Sequence, residues 1–257
     1  MLLASLACLV PARAIADAAT YGRDFEEQRI GDEPYLARCG TRPTRILLFL
    51  HSWSADHRQA AAFPEFRALE DACVVAPNFN GPNRTPRACA SEDAISRIEQ
   101  VLKESVRRTG IAVVDLLGFS GGAYVALVFL GSRPGLVSSA GVWLPIYDLA
   151  QWFREATNGG EFQQDMIGCF GRGPAGPSDR AYAARSPSVA LDGIRPPLRI
   201  WLNAGSRDTT TYPSHAQAAR DHIARACPAC ALTYVEWDMA HEFRIRAALE
   251  QMGYPAP

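Results

Sequence analysis

Lysine is almost missing from this chain: of its 26 basic residues only Lys103 is lysine, and the rest are arginine. Arginine and alanine in this abundance fit a GC-rich bacterial genome. Nor is there an excess of charge of either sign, since 27 acidic residues against 26 basic ones leave a formal net charge of −1. That balance excludes the basic surface with which a nucleic-acid binder neutralises phosphates, and the polybasic segment that docks on anionic lipid. No stretch reaches the roughly 18 uninterrupted apolar residues that a membrane-spanning helix needs, so no integral membrane segment is expected. Internal repeats and low-complexity tracts are also lacking. What is present, 48% hydrophobic and 21% charged residues over 257 positions, is the composition of a globular protein with ample chain for one core.

The N-terminus carries a short apolar run, Leu2 to Val10, followed by small residues in A-x-A order at Ala12-Arg13-Ala14 and Ala16-Asp17-Ala18. This pattern is the apolar region and cleavage site of a secretory signal peptide, although no basic residue precedes the run. We expect residues 1–18 to be the signal and 19–257 to be a single domain, secreted or periplasmic and monomeric. Of seven cysteines, Cys8 lies in the signal; removing it leaves Cys39, Cys73, Cys89, Cys169, Cys227 and Cys230. An even count suits an oxidising compartment and structural disulfides, in any of 15 pairings. Cys227-Pro-Ala-Cys230 has no second pair and no nearby histidines to complete a zinc site. Because it stands just before a late strand, it reads as a loop disulfide. No metal and no organic cofactor is expected.

Strand-like apolar runs alternate with helical patterns along the chain. Arg45 to Leu50 is continuous and apolar, as in a strand buried on both faces. Further strands are expected at Cys73 to Ala76, Ala112 to Leu117, Ser139 to Leu144, Leu198 to Asn203 and Leu232 to Trp237. Helices are expected at Ala55 to Asp71, Glu92 to Thr109, Gly121 to Gly131 and Ser214 to Ala226. Before them, Glu26 to Ile30 and Tyr35 to Arg38 flank Gly31-Asp32, a hairpin signal. The alternation predicts an α/β fold with a mostly parallel sheet flanked by helices. One connection, 146–197, is far too long for a simple crossover. Its run Gly171-Arg172-Gly173-Pro174-Ala175-Gly176-Pro177 suggests an open, mobile lid.

Gly118-Phe119-Ser120-Gly121-Gly122 matches G-x-S-x-G, with a buried strand running into it and an apolar helix leaving it. In that setting a serine is lifted on a sharp turn and can act as a nucleophile. It needs a base, and the base needs an orienting acid, in the chain order serine, acid, histidine. His241, just past the last strand, is the expected base; His215 and His222 fall on a helix and read as surface residues. Asp208, beyond the fifth strand, is the expected acid, with Asp238 as its rival. Two backbone amides should stabilise the oxyanion: Gly121, after the nucleophile, and Trp53, in the loop His51-Ser52-Trp53-Ser54 after the first parallel strand. His51 is expected to brace that loop. Phe119, Trp143, Tyr147 and Trp152 are the expected apolar lining for substrate.

These residues carry a resemblance. His-Ser-Trp at His51, Gly-Phe-Ser-Gly-Gly around Ser120, Ser-Arg-Asp ending at Asp208 and Met-Ala-His ending at His241 resemble an α/β-hydrolase over nearly all of the mature length. Ala76-Pro77-Asn78-Phe79-Asn80-Gly81-Pro82-Asn83 and its flanks resemble compact secreted hydrolases of the esterase and prolyl oligopeptidase-like group. The resemblance implies a serine hydrolase acting through an acyl-enzyme on a small-molecule or polymeric ester. Prolyl oligopeptidases proper carry a large N-terminal propeller with no counterpart here, so a peptidase is the second reading. A non-catalytic hydrolase-fold binding protein is the third, opposed by the intact serine, acid and histidine.

Overall fold

The computed structural model describes residues 21–255. The expected signal peptide, Cys8 included, lies outside the described residues. A hairpin of β1 (Glu26–Ile30) and β2 (Glu33–Cys39) comes first, followed by β3 (Arg45–Leu50). The stretch expected as one helix from Ala55 to Asp71 is two short pieces, a tight helical turn at His57–Ala62 and α1 (Pro64–Ala68). Pro64 forces the break: it disfavours helical backbone in the residue before it, and Phe63 is extended at φ −97° and ψ 111°. Next come β4 (Ala72–Pro77), α2 (Glu92–Thr109), β5 (Val114–Phe119), α3 (Gly121–Ser132) and β6 (Ser139–Trp143). The long connection holds α4 (Leu149–Glu155), α5 (Glu161–Phe170), α6 (Arg180–Ala183) and α7 (Pro187–Ala190). Then β7 (Arg199–Gly205), α8 (Pro213–Ala226), β8 (Ala231–Trp237) and α9 (Ile245–Gln251) complete the described chain.

The eight strands form one sheet in the order β1-β2-β4-β3-β5-β6-β7-β8. Only the pairings of the β1–β2 hairpin with itself and with β4 are antiparallel; β3 through β8 pair in parallel. Alternate residues of each strand face opposite sides. In β3, Ile46, Leu48 and Leu50 join the core beneath α2, α3 and α8, while Leu47 and Phe49 join the one covered by α1 and α9. Burial on both faces is why these strands read as continuous apolar runs rather than alternating ones.

α2 shows how local sequence sets an element. Ser91 Oγ accepts from the Ala94 amide at 3.1 Å, acidic Glu92 and Asp93 occupy the first turn, and Arg107 and Arg108 the last. Gly110 ends it at φ +71°, a conformation that glycine adopts without penalty. α3 is buried from Gly121 to Gly131, so it shows no polar face.

The connection expected as an open lid is instead helical and tied down. Asp148 caps α4 and Asp179 caps α6. Asp179 also pairs with Arg172 at 2.6 Å and accepts from the Ala175 amide, which holds the Gly/Pro run in place. A disulfide joins Cys89, just before α2, to Cys169 in α5. Two more disulfides link Cys39 with Cys73, opposed residues on β2 and β4, and Cys227 with Cys230 in the turn before β8. Among the described residues no helix is long and apolar enough to cross a membrane.

Candidate active site

The register of the parallel strands brings their carboxyl ends to one level: Leu50 opposes Gly118, Phe119 opposes Trp143, Trp143 opposes Asn203, and Gly205 opposes Trp237. The loops that leave this edge carry His51-Ser52-Trp53, Ser120, Asp208 and His241. This is the edge at which open parallel sheets present their sites.

Ser120 links β5 to α3 with φ +54° and ψ −120°, outside every well that non-glycine residues favour. Such a backbone costs on the order of 1–3 kcal/mol and persists only where its surroundings enforce it. Its amide donates to the Trp143 carbonyl at 2.9 Å, and its carbonyl accepts from Tyr124 at 3.0 Å. The flanking glycines are sterically required. A Cβ on Gly118 would lie 2.4 Å from the Gly122 carbonyl oxygen, and one on Gly122 would lie 2.2 Å from that of Leu50. The turn therefore presses α3 against β3 and lifts Ser120 to the sheet edge, where 7% of it remains exposed.

His241 and Asp208 meet from adjacent loops. Asp208 Oδ2 lies 2.7 Å from His241 Nδ1. The carboxylate also accepts from the Thr210 and Thr211 amides at 2.8 and 3.0 Å and from Thr211 Oγ1 at 2.9 Å. Burial alone would raise the Asp208 pKa, but the hydrogen bond and charge of His241 and the two amides together hold it below the usual carboxylate value. With Nδ1–H given to Asp208, this network leaves Nε2 of His241 as the proton acceptor. Asp238 does not compete: it points outward and pairs with Arg207 at 2.7 Å.

Trp53 and Gly121, the two expected amide donors, lie against each other. A Cβ on Gly121 would lie 2.5 Å from both the nitrogen and Cα of Trp53. Gly121 is the first residue of α3, so its amide has no acceptor within the helix. The Trp53 amide takes no partner among the described residues. Every other polar group of Trp53 is engaged: its carbonyl accepts from the Asn83 amide at 2.9 Å, and its indole N–H donates to Asp165 Oδ2 at 3.1 Å. His51 is fully buried and stacks on Phe79 at 3.9 Å. Its Nδ1 and Nε2 lie 2.9 and 3.0 Å from the carbonyl oxygens of Ser52 and Asn78. Burial drives the His51 pKa down to about 4 despite those two carbonyls, so the ring is neutral and donates to one of them while its stacking on Phe79 braces the loop. Gln59 completes the brace, accepting from the Ser52 amide and donating to its hydroxyl.

The expected aromatic lining is arranged differently. Phe119 and Trp143 are buried on the α1/α9 side of the sheet, where Phe119 packs on Phe243 at 5.0 Å and Trp143 on Trp237 at 5.5 Å. Phe243 in turn lies 5.9 Å from the His241 ring, so this stack supports the histidine loop from behind. Trp143 Nε1 takes no hydrogen bond among the described residues. Trp152 is 1% exposed, edge-on to Trp53 at 4.9 Å, and donates to the Thr210 carbonyl at 2.8 Å. Tyr147 is half-buried; its amide donates to His215 Nδ1 at 3.1 Å, and its hydroxyl is 2.9 Å from His222 Nδ1. His215 and His222, expected at the surface, are therefore buried, with Glu155 and Asp192 on their far nitrogens. Their partners lie 30 to 75 residues away in the chain, so helix periodicity alone could not show them. Asp165 was not among the expected site residues, and Asn83 entered only within the Ala76–Asn83 segment. The only signal was the placement of Asp165 one helical turn before Cys169.

Solved structures resemble this arrangement over most of the chain. A puromycin-hydrolyzing peptidase from Mycobacterium tuberculosis superposes with a TM-score of 0.66 at 18% identity, covering 93% of this chain and 39% of that one. The acylaminoacyl peptidase of Pyrococcus horikoshii gives 0.67 at 12% identity, covering 90% and 39%. The chain has the α/β-hydrolase fold. A 2,6-dihydroxy-pseudo-oxynicotine hydrolase shares that fold with a TM-score of 0.63 at 17% identity, covering 90% of this chain and 66% of its own. The chain thus spans about two fifths of the length of the two peptidases. No protein-family model and no curated protein matches the sequence. A groove of about 700 Å³ between Arg45, Asp115, Ser139 and Arg199 opens at the opposite edge, away from Ser120.

Proposed function

We propose that this protein is a serine hydrolase that cleaves carboxylic esters, with short-chain or aromatic groups and polyester surfaces as the substrate class. Ser120 Oγ attacks the ester carbonyl while His241 Nε2 takes its proton. The tetrahedral oxyanion sits between the amides of Trp53 and Gly121. Collapse expels the alcohol, protonated by His241, and leaves an acyl-serine that water hydrolyses by the same steps. Asp208 stays ionised throughout and holds the imidazole in the productive tautomer. The observation that carries this reading is that a strained Ser120, the 2.7 Å Asp208–His241 pair and the adjacent amides of Trp53 and Gly121 all stand on loops at one sheet edge. The half-buried ring of Phe162 beside Trp53 offers apolar surface for the substrate.

A small serine peptidase is the second reading, favoured by the peptidases among the structural neighbours. The same residues would serve, with a poorer amine leaving group. Specific activity on p-nitrophenyl butyrate against matched p-nitroanilide peptides separates the two. We expect the ester to be preferred, and a higher kcat/KM on the peptides reverses the order. A fluorophosphonate should label Ser120 and fail on Ser120→Ala; absence of labelling in the unaltered protein points instead to a binding protein. Three disulfides support an extracellular or periplasmic site of action. Exported protein should lose its first 14 or 18 residues and show no free thiols, which intact-mass analysis before and after reduction reads directly.

A further inference from the structure

Among the contacts that the insert between β6 and β7 makes with Trp53, the packed rings of Trp152 and Phe162 are joined by one hydrogen bond. Asp165, on α5, accepts the indole N–H of Trp53 at 3.1 Å through Oδ2 and pairs through Oδ1 with Arg84 Nε at 3.2 Å. Arg84 follows Asn83, whose amide holds the Trp53 carbonyl. The contacts therefore close a ring: Trp53 to Asp165, Asp165 to Arg84, and Asn83 back to Trp53. α5 is seated tightly on this loop, since a Cβ on Gly168 would lie 2.3 Å from the Arg84 carbonyl oxygen. The Cys89–Cys169 disulfide fastens the same helix one turn further on. Trp53 itself is buried among Tyr124, Trp152 and Phe162.

We propose that Asp165 is a positioning residue for the Trp53 oxyanion donor, so that the insert sets the geometry of the tetrahedral intermediate rather than merely covering the site. This rests on the serine-hydrolase reading. A buried indole N–H is costly to leave without an acceptor. Without Asp165, Trp53 must turn toward another partner, and its own amide moves with it. The amide is useful only if aimed at the position of the oxyanion, where errors near 1 Å cost about 100-fold in rate. Ground-state binding of the ester does not use that amide fully, so the loss falls on kcat.

Asp165→Leu is expected to lower kcat about 100-fold with KM changed less than about threefold, and to weaken phenylboronic acid, which forms a tetrahedral adduct on serine, by a similar factor. Asp165→Asn keeps an oxygen acceptor and should stay within about threefold of the unaltered enzyme. Trp53→Phe keeps an aromatic ring, though a smaller one, deletes the N–H and leaves the Asp165–Arg84 pair intact; it should repeat the kcat loss and serves where Asp165→Leu does not fold. Combining the two should cost no more than either alone, because one interaction is removed by both. Unchanged kcat in Asp165→Leu or Trp53→Phe, or a loss in Asp165→Asn equal to that in Asp165→Leu, overturns the proposal. Fluorophosphonate labelling of the unaltered protein keeps the two levels apart. No label at Ser120 overturns the hydrolase reading and this inference together, whereas normal labelling with indifferent variants overturns this inference alone.

Discussion

Asp208 Oδ2 stands 2.7 Å from Nδ1 of His241 while the same carboxylate is held by Thr210 and Thr211. The aspartate is thus fixed before it orients the imidazole. Replacing it with asparagine keeps the shape but offers His241 an N–H where it needs an acceptor, which turns the ring to the wrong tautomer. Asp208→Asn should lower kcat on the order of 10⁴-fold. Asp238→Asn, whose carboxylate pairs outward with Arg207, should leave kcat unchanged. Steady-state kinetics of the two variants on p-nitrophenyl butyrate checks the assignment, and the opposite ranking refutes it.

The approach of Gly121 to Trp53 makes a second prediction. Alanine at Gly121 would place Cβ 2.5 Å from the Trp53 nitrogen and Cα, backbone atoms that cannot swing away. One or both amides must leave the oxyanion position, and loss of one such donor costs about 10²–10³ in kcat. Gly176→Ala, with nothing within 4 Å, is the matched control and should behave as the unaltered enzyme. Circular dichroism shows whether the fold survives; a folded, fully active Gly121→Ala would place the oxyanion elsewhere.

Much of the fold was legible because its strands are buried on both faces. Arg45 to Leu50 and Ser139 to Leu144 read as apolar runs and occur as strands within a residue of those bounds. α2 announced itself through its Ser91 cap and its amphipathic spacing. The insert was not legible. Its helices are four to ten residues long, too short for periodicity to register, and they hold together through Asp148, Asp179 and Cys169. At the site, the motif around Ser120 and the loops of Asp208 and His241 were readable because each directly follows a strand. Phe119 and Trp143 also stand at strand ends, but the alternation of the strand turns their rings to the far face, which residue type cannot reveal. The bond from Trp53 to Asp165 spans 112 residues and follows only from tertiary packing.

His51 makes the fold sensitive to acid. Its pKa is 6.5 in the unfolded chain and falls to about 4 in the buried site. Between those values the unfolded state binds the proton and the native state does not. Stability contributed by neutral His51 is therefore complete above pH ~6.5 and declines as pH falls through the window to about 4, by about 3 kcal/mol in all. Urea denaturation at pH 7.5 and 4.5 measures the decline. In His51→Gln it should be smaller by about that amount, whatever the variant's stability at neutral pH. Equal declines in the two proteins would show that another group carries the acid sensitivity.

The three disulfides should separate by the length of chain they close and by what they hold. Cys89 and Cys169 are 80 residues apart, Cys39 and Cys73 34, and Cys227 and Cys230 only 3. Chain-entropy arguments give about 4 kcal/mol for each of the two long loops and about 2 kcal/mol for the short one. Paired replacement by alanine should lower the denaturation midpoint most for the first two and least for the third. Activity should divide them differently. Cys39–Cys73 ties β2 to β4, far from Ser120, so its loss should leave kcat at the unaltered level wherever the protein is folded. Cys89–Cys169 fastens the helix that carries Asp165 to the loop that carries Asn83 and Arg84, so its loss should also lower kcat, with KM changed less. Kinetics at a temperature well under each midpoint, together with the midpoints, provides the two readouts. If the Cys89–Cys169 variant is destabilised yet turns over ester at the unaltered rate, the disulfide serves stability alone.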